Sequence, residues 1–219
     1  MIYAMSDIHG EKGRFDRMLK LISFSKKDTL YVIGDAIDRG PDGIAILQEI
    51  MQNRNMVLLM GNHEEMCVSA SKGILPMMKC WSQNGGDITS KALDRLGTKR
   101  KKKLLSYMES APEYLDITVN GKNFHLVHAC PGLTRETRLW QRPDPNHVPY
   151  LTDFTVIVGH TATMFFHPAP LSYLRRISHM EIFKCNAFIG IDCGCGMPET
   201  RKDCLACLRL DDMQEFYII

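Results

Sequence analysis

The chain has 219 residues, 45% hydrophobic and 24% charged, a composition that can bury a sizeable globular core. A formal net charge of +2 gives no footing to nucleic-acid or membrane binding through net charge, and neither is expected as a partner. No apolar run approaches the ~20 residues that span a bilayer, and the opening MIYAMSDIHG lacks a basic region ahead of an apolar one, so a cytoplasmic chain with reduced cysteines is expected.

In chain order, residues 2–5 form a short apolar, strand-like run that stops at Ser6-Asp7-Ile8-His9-Gly10. Phe15, Met18, Leu19 and Ile22 follow at helical spacing. A second run, 29–33, stops at Gly34-Asp35-Ala36-Ile37-Asp38-Arg39-Gly40, and Ile44, Leu47, Ile50 and Met51 make another helical stripe behind Pro41. A third run, 56–60, stops at Gly61-Asn62-His63-Glu64. Strand, helix, strand, helix, strand predicts a βαβαβ start with parallel pairing.

Residues 64–110 read as mostly helical, broken at Asn84-Gly85-Gly86. The basic run Thr98-Lys99-Arg100-Lys101-Lys102-Lys103 reads as a solvated helix start or loop, with a docking patch as the alternative. The later half is strand-rich: 124–127 stops at His128, 154–158 stops at Gly159-His160, and 187–191, 204–210 and 215–219 follow. Residues 131–149 hold four prolines and many charges and are expected to form one long loop. Cys193, Cys195, Cys204 and Cys207 read either as small buried strand residues or as zinc ligands. No repeat or linker interrupts the chain, which is expected to fold as a single domain over 1–219.

Five strand-like runs thus deliver Asp, His or Asn at their C-terminal ends, the edge where open α/β sheets place ligands. Asp7 and His9, at i and i+2, point to the same side of an extended segment and can reach one cation. The two oxygens of Asp35 can bridge two cations; Asn62 offers an amide oxygen, and His128 and His160 offer imidazole nitrogens. Oxygen plus imidazole without thiolate suits manganese, iron or zinc in a two-metal centre. His125, His147, His167 and His179 lack strand-end context and read as structural or exposed.

The motifs Asp7-Ile8-His9, Gly34-Asp35-Ala36-Ile37-Asp38-Arg39-Gly40 and Gly61-Asn62-His63-Glu64, with the later His128 and His160, resemble the signatures of phosphoprotein-phosphatase-type metallophosphoesterases in order and spacing. The likeness is greatest to the compact bacterial and phage serine/threonine protein phosphatases, with bacterial diadenosine tetraphosphatases next. It runs over essentially the whole chain, including Ile191-Asp192-Cys193-Gly194. It implies a calcineurin-like α/β fold: two packed, mainly β sheets with helices outside. It also implies two divalent cations, Mn²⁺ foremost with iron or Zn²⁺ as alternatives. Asp7, His9 and bridging Asp35 would hold one; Asp35, Asn62, His128 and His160 would hold the other. Arg39, and Arg142 in Leu139-Trp140-Gln141-Arg142, would grip phosphate oxygens. His63 would act as general acid, oriented by Asp38. The metals would activate water for in-line attack on phosphorus.

The implied activity is hydrolysis of a phosphomonoester on a phosphoprotein or small phosphorylated substrate, foremost phosphoserine or phosphothreonine proteins, by a monomeric enzyme. A tetraphosphatase acting on dinucleotides and a catalytically inactive binding module are the alternatives. A cysteine phosphatase is excluded by spacing: Ala129 separates His128 from Cys130, and four residues rather than five separate Cys130 from Arg135.

Overall fold

The computed structural model describes residues 1–166, 179–197 and 202–219; His167 lies outside them. The predicted βαβαβ start is present: β1 (Ile2–Met5), α1 (Lys12–Leu21), β2 (Thr29–Val32), α2 (Gly43–Gln52) and β3 (Met56–Leu58). β1 pairs with β2, and β2 with β3, in parallel. Four helices follow: α3 (Asn62–Ser71), α4 (Leu75–Gln83), α5 (Asp87–Asp94) and α6 (Thr98–Glu109). The basic run occupies the first half of α6, where Lys99, Arg100, Lys102 and Lys103 are exposed while Leu104 and Met108 are buried.

The later strands are β4 (Tyr114–Val119), β5 (Lys122–Val127), β6 (Thr155–Val158), β7 (Phe183–Lys184), β8 (Ile189–Gly190), β9 (Leu205–Arg209) and β10 (Gln214–Ile218), with α7 (Arg135–Trp140) between β5 and β6. They complete two mixed five-stranded sheets, ordered β10-β9-β1-β2-β3 and β4-β5-β6-β8-β7. Ala4, Ile33, Leu59, Phe124, Leu126, Ile157 and Leu208 pack between the sheets. Met5, Leu30 and Val32 face the other way, against Phe15, Met18, Leu47 and Ile50 of α1 and α2. The inward faces of β1, β2, β5 and β6 are fixed by these Val, Ile and Leu residues, and that burial holds the strand ends in register.

One expectation needs correction. Residues 131–149 are not one continuous loop: α7 lies within them, begun by the Thr134 side chain accepting the Thr137 N–H at 3.1 Å. β4 went unrecognised because it is a one-sided edge strand. Its Tyr-Leu-Asp-Ile-Thr-Val turns Leu115, Ile117 and Val119 inward and leaves the polar alternates to solvent. The cysteine question resolves toward packing: Cys195 and Cys207 lie in the core on the helical side of the first sheet, Cys193 and Cys204 in the core between the sheets. The first sheet therefore divides the two pairs. Among the described residues, no helix is long and apolar enough to cross a membrane.

Candidate active site

The ends of β1, β2, β3, β5 and β6 meet at one edge of the sandwich. Backbone hydrogen bonds lace the first two loops together: Asp7, His9 and Gly10 N–H groups donate to Gly34, Asp35 and Ala36 carbonyls at 3.1, 3.0 and 3.1 Å. The His63 N–H donates to Asp35 Oδ1 at 3.1 Å, and the His160 N–H to Asp7 Oδ2 at 3.0 Å, which ties the second sheet to the first. Asp7, His9, Asp35, Asp38, Arg39 and His160 all have positive φ, six of the nine non-glycine residues that do among the described residues. Such backbone is sparsely populated, and its concentration here marks a site held in shape by its surroundings. Gly61 serves the same end, because a Cβ there would lie 2.2 Å from Asp35 Oδ1.

The sequence-derived residues converge. His9, Asp35 and His63 place one ligand atom each within 4.8 Å of one another, and so do Asp35, His128 and His160. His9 Nε2 lies 3.7 Å from Asp35 Oδ2 and 3.9 Å from Asp7 Oδ1; His128 Nε2 lies 3.4 Å from Asp35 Oδ1. Asn62 Oδ1 sits 2.9 Å from His128 Nε2 and 3.1 Å from His160 Nδ1.

Three histidines share one orientation device. His9 Nδ1 donates to the Ile37 carbonyl at 3.1 Å, His128 Nδ1 to the Ile33 carbonyl at 2.9 Å, and His160 Nε2 to the Trp140 carbonyl at 3.1 Å. A carbonyl only accepts, so each of these nitrogens carries the proton and the other presents a lone pair to the centre. Burial holds His9 well below the usual histidine range, helped by the Arg39 and His63 charges. Burial and His128 hold His160 down to about 3. Both therefore stay neutral, the form that ligates a cation.

His63 differs. Its Nδ1 is 2.7 Å from Asp38 Oδ2, a carboxylate rather than a carbonyl. Burial alone would lower its pKa, but Asp35 and Asp38 outweigh burial and the net shift is upward. Asp35 moves the other way: burial would raise it, and the imidazoles beside it, His128 and His63 foremost, hold it well below the carboxylate range. Arg39 and Arg142 are both exposed. Arg39 acts electrostatically on His9, His63 and Asp192, and Arg142 on His160 and Asp192. The Arg142 guanidinium also lies over the Phe165 ring at 5.5 Å.

Further residues belong to this site that sequence reasoning left without a role. Glu64, fully buried, accepts backbone N–H groups from Asp35, Ala36 and Gly61 at 2.8, 2.9 and 3.1 Å. Asp192 is 5% exposed; burial pushes it up to about 6, and Asp35 adds to the shift. Asp7 is raised by burial and then by the charges of Asp192 and Asp35. Trp81 donates its indole N–H to Asp38 Oδ2 at 2.7 Å. Glu64 carried a local signal, being three residues after Gly61 at a helix start, and Asp192 stood in a motif noted for resemblance alone.

The bystanders stay apart. His125 pairs with Asp116 at 2.6 Å and stacks on Tyr114; His147 stacks on Tyr150; His179 packs on Tyr217. Cys130 is buried, its thiol pushed up by burial, and Arg135 is engaged by Glu65 and Glu113, so no thiolate phosphate loop exists there.

Buried Asp7 and Asp35, imidazoles aimed at them and an amide oxygen between two imidazoles form a donor set that fits divalent cations. The chain resembles a symmetrical bis(5'-nucleosyl)-tetraphosphatase of Chromobacterium violaceum, at 32% identity over 130 residues, 58% of this chain and 42% of that one. It also resembles serine/threonine-protein phosphatase 1 of Salmonella typhimurium, at 33% identity over 87 residues, 39% of each chain. These alignments span less than half the length of either relative. Its fold matches that of a protein serine/threonine phosphatase from Saccharomyces cerevisiae with a TM-score of 0.62 at 12% identity, covering 99% of this chain and 78% of that one. The model of the calcineurin-like phosphoesterases matches residues 1–164 and with them the five motif-bearing strand ends; the chain belongs to that family of metallophosphoesterases.

Proposed function

We propose that this protein hydrolyses phosphomonoesters with two divalent cations, Mn²⁺ foremost, and that phosphoserine or phosphothreonine in proteins is its substrate. Asp7, His9 and Asp35 would hold one cation, and Asp35, Asn62, His128 and His160 the other. The observation that carries this reading is the shared orientation of His9, His128 and His160, each tied through one nitrogen to a backbone carbonyl with the other aimed at Asp35 or Asn62. When bound, the cations supply Lewis acidity at phosphorus and activate the attacking water.

The remaining roles fall to the chain's own side chains. Arg39 and Arg142, bordering the cluster, bind phosphate oxygens through their guanidinium groups. His63 donates its Nε2 proton to the leaving oxygen. Its Nδ1 is held by Asp38, whose charge favours the imidazolium, and this distinguishes it from the three carbonyl-anchored imidazoles. Asp38 orients that ring and keeps the proton at the right face.

The acid also supports the choice of substrate. A serine or threonine alkoxide is a strong base and leaves slowly unless protonated, so a buried imidazolium matters most there. A second reading, a dinucleoside tetraphosphatase, is favoured by the 32%-identical relative, but its nucleotide leaving group is a weaker base with less need of an acid. The gathering of His9, His128 and His160 about Asp35 supports an enzyme over the inactive binding module. We further propose that residues 1–219 act as one catalytic domain and as a monomer. Activity with Mn²⁺ on a phosphopeptide panel beside diadenosine tetraphosphate is the test: higher kcat/KM on phosphoserine and phosphothreonine peptides is expected, and preference for the dinucleotide would establish the second reading.

A further inference from the structure

The turn 84–86 between α4 and α5 lies against the loop that follows β2. Trp81, near the end of α4, is buried, and its indole N–H donates to Asp38 Oδ2, the same oxygen that faces His63 Nδ1. From α5, Thr89 Oγ1 accepts the Asp38 N–H at 3.0 Å, and the Gly85 carbonyl accepts the Arg39 N–H at 3.2 Å. Asp38 and Arg39 have φ of 70° and 62°, backbone that needs holding from outside. Gly86 lets the turn close over the indole, since a Cβ there would meet Trp81 Cδ1 and Nε1 at 2.4 Å. The other carboxylate oxygen, Asp38 Oδ1, is buried with no hydrogen-bond partner among the described residues. The side-chain hydrogen bonds that orient the carboxylate thus converge on Oδ2, and of their two partners, His63 and Trp81, Trp81 takes no part in the proposed chemistry.

We infer that Trp81 is a positioning residue for phosphoester hydrolysis: it holds the Asp38 carboxylate so that His63 presents its proton to the leaving group. This rests on the proposed role of His63 as general acid. The Trp81 indole N–H is engaged by Asp38 rather than by a cation donor, so Trp81 acts through Asp38.

The test is the kinetics of Trp81→Phe, alone and combined with His63→Asn, on the metal-loaded protein across a series of alkyl and aryl phosphates, with metal content measured alongside. Trp81→Phe is expected to retain wild-type metal content and KM. Its kcat should fall roughly ten-fold on an alkyl phosphate, a fraction of what a general acid contributes, and less on p-nitrophenyl phosphate. In the His63→Asn background the same change should cost nothing further, because the group it serves is gone. A uniform loss across the series, or the same loss in both backgrounds, would show that Trp81 merely packs and would overturn the inference. His63→Asn alone reads the underlying assignment separately: a loss independent of leaving group refutes the acid role and the inference with it. Should Trp81→Phe fold poorly, benzothienylalanine at position 81 keeps the shape and replaces only the N–H by sulfur. The leaving-group-dependent loss is expected there too, and wild-type kinetics would overturn the proposal.

Discussion

Glu64→Gln probes the scaffold beneath the centre. The Glu64 carboxylate accepts two N–H groups on Oε2, from Asp35 and Gly61, and one on Oε1, from Ala36. Glutamine keeps one acceptor oxygen and turns the other into a donor. With the amide oxygen in the Oε2 position, the new NH2 faces the Ala36 N–H, and one charge-assisted hydrogen bond is lost and a buried donor left unpaired. These losses amount to about 3–5 kcal/mol. They are offset by about 3 kcal/mol, because a neutral amide escapes the burial and Asp35 repulsion that push Glu64 up to about 7. A net destabilisation of about 1 kcal/mol remains, equivalent to roughly 2–4 °C in Tm for a chain of this size. Because the bonded N–H groups belong to Asp35 and its neighbours, Mn²⁺ affinity should also fall about 10–100-fold. Urea unfolding of the metal-free protein and calorimetric Mn²⁺ titration measure the two effects. A stability change under about 0.5 kcal/mol with unchanged Mn²⁺ affinity would refute the reasoning.

His63→Asn should retain its metals and lose about 10²–10⁴-fold in kcat on alkyl phosphates and less on p-nitrophenyl phosphate; loss of a metal would make His63 a ligand instead. His160 titrates near 3 in the folded chain and near 6.5 unfolded, so below pH 6.5 the unfolded chain takes up a proton that the folded one refuses. The stability of metal-free wild type relative to His160→Asn should therefore decline as pH falls from 6.5 toward 3, read from urea midpoints; a pH-independent difference would contradict the burial argument. Cys130→Ala should keep wild-type kcat/KM and its response to thiol reagents, since Cys130 is buried and its thiol raised; loss of activity would reopen thiolate chemistry.

What was legible in the sequence is what repeats locally. β1, β2, β3, β5 and β6 are runs of branched and aromatic residues that end abruptly in Asp, His or Asn, and the residues after those runs are the ones the fold gathers. Residues that matter through distant contacts were not legible. Trp81 lies 43 positions from Asp38 in the chain, and nothing near it distinguishes a buried tryptophan that packs from one that donates to a carboxylate. Asp192 stands in a motif noticed only for resemblance, and its place beside Asp7 depends on β8 lying next to β6 in the second sheet. β4 and α7 were missed for opposite reasons: β4 shows only one apolar face, and α7 is six residues long with prolines on both sides of it.

The claim on which the rest depends is that Asp35 is shared by two cations. Metal analysis of wild type and Asp35→Asn after Mn²⁺ loading and gel filtration tests it directly, with activity on p-nitrophenyl phosphate measured on the same samples. Two Mn²⁺ per chain are expected in the active wild type. Asp35→Asn should lose more metal than Asp7→Asn or His160→Asn, each of which removes a ligand from one cation only, and should be inactive. An Asp35→Asn protein that still carries two Mn²⁺ would contradict the account.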